Sequence, residues 1–224
     1  MKLKRLNQIN CLPSKKQNSG FTLTELLVAI VITGILVAGS SIGLDTVLRR
    51  NARNERQTLR RQEINRALDF IAEEIKMAHS ISTDPNNDVP EGSKISSSTA
   101  SNQTPILVLT IPNFDDKVVY RIAEPTTSTV WQGPRVIYRW GPGFTSDGNY
   151  SNQEKSSSWQ NRPLIDFISA EEGGSCESGN IIPKSPEGFY ICRQGNRTVE
   201  IVIRNSEGSI KLRQKAFARS NASD

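Results

Sequence analysis

Histidine is almost absent from this 224-residue chain; His79 is the single one. Cysteine is scarce too, with three, and Cys11 stands far in sequence from Cys176 and Cys192. A zinc site or an imidazole-activated nucleophile needs such residues in company. None accompanies His79, so no Ser/His/Asp set can be drawn around it. The glycine-containing runs GPGF (141–144) and GGS (173–175) are followed by neither a lysine–serine pair nor a helix start, and read as turns rather than phosphate loops. Proline is missing from Phe21 to Asp84, so nothing interrupts a helix there. Charge is missing from Phe21 to Leu44, with Glu25 the one exception. These absences speak against an enzyme and leave one long apolar stretch as the organising feature.

That stretch begins abruptly. A basic, polar leader ends at Gly20, and FTLTELLVAIVITGILVA follows from Phe21. As a helix rising ~1.5 Å per residue, Phe21 to Leu44 extends about 36 Å, enough to cross a ~30 Å hydrocarbon core with some tilt. An ionised carboxylate at Glu25 costs a few kcal/mol inside hydrocarbon, about what insertion scales assign to such a residue. Either it snorkels to the nearby interface or it has a partner. A cut after Gly20 would supply one: the new α-amine of Phe21 on a neighbouring copy, neutralising the acid within the membrane or within a filament core.

Residues 20–30, GFTLTELLVAI, resemble the class III signal of type IV prepilins and type II secretion pseudopilins. The resemblance implies cleavage after Gly20 by a membrane-bound prepilin peptidase, methylation of the new N-terminal Phe21, and a role in assembly for Glu25. An ordinary secretory signal places its apolar region before the cleavage site and loses it. Here the cut would precede the apolar region and keep it.

The division expected is a cleaved leader at 1–20, a transmembrane and assembly helix at 21–44, an aqueous continuation of that helix at 45–80, and a head at 81–224. The leader carries Lys2, Lys4, Arg5, Lys15 and Lys16 and no acid, which predicts that this end stays cytoplasmic. Its removal takes five of the 28 basic residues and none of the 23 acidic ones, leaving 23 of each. The basic pI therefore belongs to the leader and makes no case for nucleic-acid binding. Gly34, Gly39, Ser40, Ser41 and Gly43 loosen the second half of the apolar helix or let another helix approach closely.

Between 49 and 66, Arg49, Arg50, Arg53, Arg56, Arg60, Arg61 and Arg66 face only Glu55 and Glu63. This is either a solvated face or a surface for anionic lipid headgroups or acidic subunits. Beyond it, Ile64, Leu68, Ile71, Ile75 and Ala78 step by four and three, one helical face destined for a core. The surrounding phrase RALDFIAEEIKMAHSI more loosely resembles J-type minor pseudopilins and W-type minor pilins, which implies a minor, tip-located subunit. His79 near the helix end suits a dipole or carbonyl contact.

A polar loop spans 82–104. Seven β-type runs follow: Ile106–Ile111, Val118–Ile122, Val136–Trp140, Leu164–Ile168, Phe189–Cys192, Val199–Ile203 and Ile210–Arg213, with EGS as a hairpin turn between the last two. They predict an α+β fold in which an antiparallel sheet rests on the amphipathic half of the helix. In an oxidising compartment Cys176 and Cys192 read as a disulfide, the alternative being two free thiols. Asp147, Asn149 and Ser151 alternate as calcium ligands do but lack the EF-hand's central glycine and terminal acid. Trp131, Trp140, Trp159 and Tyr138 read as packing residues.

The chain is thus expected to be a single-pass inner-membrane prepilin-like protein with its head in the periplasm. Its partners are prepilin peptidase, other pilin or pseudopilin subunits and membrane lipid. No catalytic residue, cofactor or metal is expected. A pilus-borne adhesion or DNA-uptake subunit, and an anchored binding module that never assembles, are the alternatives.

Overall fold

The computed structural model describes residues 20–126, 130–195 and 197–219, without the side chains of 41 and 42. The leader residues 1–19, Cys11 and the five leader cations among them, lie outside the described residues. By contacts the chain divides into two compact units on either side of the Asn54–Glu55 bond.

Helix α1 runs from Leu23 to Met77 and crosses that division. In the first unit it passes through Gly34, Gly39 and Gly43 without a break. Leu26, Val28, Ile30, Ile32, Ile35 and Val37 are each more than half exposed. A face that apolar is not a solvated one, and the segment is long and apolar enough to cross a membrane.

The second unit contains the rest of α1 and eleven strands: β1 (Ser80–Ile81), β2 (Ala100–Thr110), β3 (Val118–Pro125), β4 (Arg135–Gly141), β5 (Gly143–Phe144), β6 (Tyr150–Ser151), β7 (Gln160–Ile168), β8 (Asn180–Ile182), β9 (Phe189–Gln194), β10 (Thr198–Arg204) and β11 (Lys211–Phe217). They form an antiparallel sheet ordered β1-β2-β3-β4-β7, a second ordered β11-β10-β9-β8, and the small β5–β6 hairpin. All seven runs expected from sequence are strands; the four additional ones are only two or three residues long. Two residues carry too little alternation to stand out from a loop. The strands form two principal sheets instead of one, because β7 passes to β10 only through an isolated Ile168–Asn205 bridge. The loop predicted over 82–104 ends sooner, since β2 starts at Ala100 and pairs Leu109 with Ile81.

The stripe read from sequence is the core contact. Ile64, Leu68, Ile71, Ile75 and Ala78 are at most 2% exposed and pack with residues of both principal sheets, among them Leu107, Ile137, Ile191 and Ile201. Trp140, Trp159 and Tyr138 are buried, and Trp131 packs partly buried against Ala123 and Tyr138. The β10–β11 hairpin turns through Asn205–Ile210, where Gly208 takes a left-handed φ of 65°. Only glycine adopts that conformation without steric cost.

Candidate functional site

The start of α1 is built by its own first residues. Thr22 precedes the helix, and its carbonyl accepts the Leu26 N–H at 3.2 Å, closing the first turn. The Glu25 N–H donates to Thr22 Oγ1 at 3.3 Å, while the Thr22 N–H and its hydroxyl both donate to Glu25 Oε2 at 2.9 Å. This is a capping box, in which residues three apart satisfy each other's free N–H groups at a helix start. It gives Glu25 a local structural cause beside the intermolecular one expected from the sequence. The T-x-x-E signature lay in the sequence and is the signal that points to it.

Gly20 and Phe21 sit outside the helix, and Phe21 is 85% exposed. A Cβ placed on Gly20 would meet nothing within 4 Å among the described residues, so their packing does not require glycine there.

The head contains a second constellation. Glu74 of α1 lies between Arg139 of β4, Tyr120 of β3 and Tyr150 of β6. Arg139 donates through Nε to Glu74 Oε2 at 2.9 Å and through Nη2 to Oε1, and its Nη1 donates to the Pro142 carbonyl at 2.9 Å. The Tyr120 hydroxyl donates to Glu74 Oε2, and the Tyr150 hydroxyl to Oε1 at 2.8 Å. Burial first, and the Glu74 charge second, push both phenols above the usual tyrosine value. The Phe70, Phe144 and Tyr150 rings lie around the Arg139 guanidinium, 5.2–5.9 Å from ring centroids. Every charge is paired, and the cluster fastens helix to sheet. It has no free nucleophile or base. Glu74 stands three residues from Ile71 and so on the buried face of α1, but its partners lie 46 to 76 residues away, beyond the reach of any local sequence pattern.

A second bidentate pair joins Arg135 of β4 to Glu187 before β9, at 2.5 and 2.9 Å. Arg121 is buried without a carboxylate: it donates to Gln103 Oε1 at 2.6 Å and Ser93 Oγ at 2.7 Å, and desolvation lowers its guanidinium to about 10. It is still charged at neutral pH.

Cys176 and Cys192 are joined by a disulfide with Cα atoms 5.5 Å apart, tying the 173–188 loop to β9. Asp147, Asn149 and Ser151 lie in and beside the β5–β6 hairpin. They shape the β5–β6 turn, where the Thr145 N–H donates to the Asn149 carbonyl at 2.8 Å. No metal-binding group of three His, Cys, Asp or Glu residues occurs among the described residues. The His79 backbone N–H donates to the Thr110 carbonyl at 2.8 Å, and its buried ring Nδ1 has no hydrogen-bond partner. Beyond the apolar run, Arg49 pairs with Asp45 at 2.8 Å in the first unit. In the second, Arg60 pairs with Glu63 at 2.6 Å and Asp166 at 3.2 Å.

A capped, exposed apolar helix, long and apolar enough to cross a membrane, and a β-rich head of antiparallel sheets make a pilin-like α+β architecture. Residues 15–41 match the family model for the prokaryotic N-terminal methylation motif, which is the signal segment of type IV pilins and pseudopilins. No curated protein and no solved structure matches the chain significantly.

Proposed function

We propose that this protein is a minor pilin or pseudopilin, a structural subunit of a type IV pilus or of a type II secretion-like pseudopilus. Prepilin peptidase cuts after Gly20, Phe21 becomes the methylated N-terminus, and Glu25 guides assembly through the α-amine of a neighbouring copy. The leader stays in the cytoplasm, the apolar helix holds the subunit in the inner membrane, and the head is exported. In the filament the apolar helices pack together and the heads face outward.

The observation that carries this reading is the Gly20–Phe21 junction. It lies inside the matched motif, outside the helix and exposed, and packing among the described residues does not require its glycine. The looser J- and W-type resemblance of residues 66–81 supports a minor subunit. The test is the intact mass and N-terminal sequence of the membrane-extracted protein. A chain beginning at Phe21 and one methyl group heavier is the expected result. A chain retaining Met1 would make it an anchored module, and a cut beyond Ala38 a released globular protein.

A further inference from the structure

We infer that Thr22 is a positioning residue for processing: by capping α1 it makes the helix begin at Leu23, two residues past the scissile bond, and presents Gly20–Phe21 unwound. The inference rests on the cleavage reading above. In that step water adds across the Gly20–Phe21 peptide bond, its oxygen going to the Gly20 carbonyl carbon to give a carboxylate. Both water protons end on the Phe21 nitrogen, which leaves as an ammonium.

A peptidase must reach both faces of a peptide bond, and a bond wound into a helical turn hides one of them behind the preceding turn. Near a bilayer the backbone is drawn toward helix, because N–H and C=O groups in hydrocarbon have no water to bond. Something must therefore end α1 at a fixed place. Thr22 does so through both its side chain and its backbone: the Glu25 N–H is shared between its carbonyl at 3.1 Å and its hydroxyl oxygen at 3.3 Å, its own N–H and its hydroxyl both donate to Glu25 Oε2 at 2.9 Å, and its carbonyl accepts the Leu26 N–H at 3.2 Å. With the Thr22 N–H already engaged by a side chain, the helix gains nothing by extending backward. The residues upstream in sequence, Asn18 and Ser19, are good cap formers themselves. A chain without the Thr22 cap can start its helix there and wind Gly20 and Phe21 into the first turn.

Full-length chain in detergent micelles, incubated with purified prepilin peptidase, gives the test. Thr22→Val keeps the shape and removes the hydroxyl. Its KM should rise by up to about fivefold, the change in conformer ratio expected when a cap of ordinary strength is lost, with kcat nearly unchanged at saturation. Thr22→Ser and Thr22→Asn should restore the wild-type KM. Backbone chemical shifts of Gly20 and Phe21 should turn helical in Thr22→Val alone. Thr22→Val cut with the wild-type KM overturns the inference. So does an equal loss in Thr22→Ser and Thr22→Asn, which would mean the peptidase reads the threonine itself. A wild-type chain left uncut overturns the processing reading, and this inference with it.

Discussion

Glu74 and Arg139, 65 residues apart in the chain, meet as a two-pronged ion pair that is 2% and 3% exposed. The pair joins the packing half of α1 to β4, and two tyrosine hydroxyls complete it. Breaking it from one side should be costly. Glu74→Ala leaves a buried guanidinium uncompensated and two phenols without an acceptor. A loss of about 3–5 kcal/mol is expected, read as a lower urea midpoint followed by tryptophan fluorescence. The double replacement Glu74→Met/Arg139→Met should be closer to wild type, because no charge is then buried alone.

Alkaline pH should loosen the head. Tyr120, Tyr138 and Tyr150 are all held above the usual tyrosine value by burial. In the unfolded chain they ionise near 10. Above that pH the folded state binds more protons than the unfolded one, so stability falls as pH rises; it is fully present below about 10. Arg121, lowered to about 10, acts in the opposite sense but is one group against three. Thermal melts at pH 8, 10 and 11 should show the midpoint dropping only beyond 10, and phenolate absorbance should rise together with unfolding. A phenolate signal that precedes unfolding would contradict the burial of these hydroxyls.

The Cys176–Cys192 bond closes a loop of sequence separation 16 around β8. Cys176→Ser should lower head stability by about 3 kcal/mol on the chain-entropy estimate. It should leave processing at Gly20 unchanged, since the two features belong to different compact units.

Gly20→Ala separates a need of the fold from a need of the peptidase. An added Cβ meets nothing within 4 Å. The circular dichroism spectrum and melting point should therefore match wild type while cleavage is lost. A variant that melts lower would return the glycine to a structural role.

Glu25→Ala removes the carboxylate but leaves the Thr22 hydroxyl able to accept the residue-25 N–H. Cleavage should persist, but at a raised KM, because the Thr22 N–H loses its acceptor. Incorporation into filaments, measured by shearing and immunoblot, should fall to background. Normal incorporation would reduce Glu25 to a capping residue.

Local pattern was enough for much of this architecture. The apolar run and its single acid, the four-three stripe from Ile64 to Ala78 and the seven alternating strand runs were legible because each rests on a periodicity of two or 3.6 residues within a short window. The Gly20–Phe21–Glu25 spacing carries no such period; it was read as a resemblance to a prepilin signal, and residues 15–41 match that motif's family model. Thr22 could have been read and was not, since the signal T-x-x-E was overlooked in favour of the charge it contains.

Helix, strands, the long apolar run and the N-terminal methylation motif are properties of neighbours in sequence, and the sequence by itself determined them. Tertiary structure alone decided that Glu74, one of the adjacent acids Glu73 and Glu74, turns inward to Arg139 while Glu73 stays on the surface with Lys76. It also decided that the strands divide into two sheets bridged at Ile168 and Asn205. Such partners lie tens of residues apart. Their pairing depends on how buried charge and unpaired backbone are satisfied once the whole core has closed, a condition no short window of sequence contains.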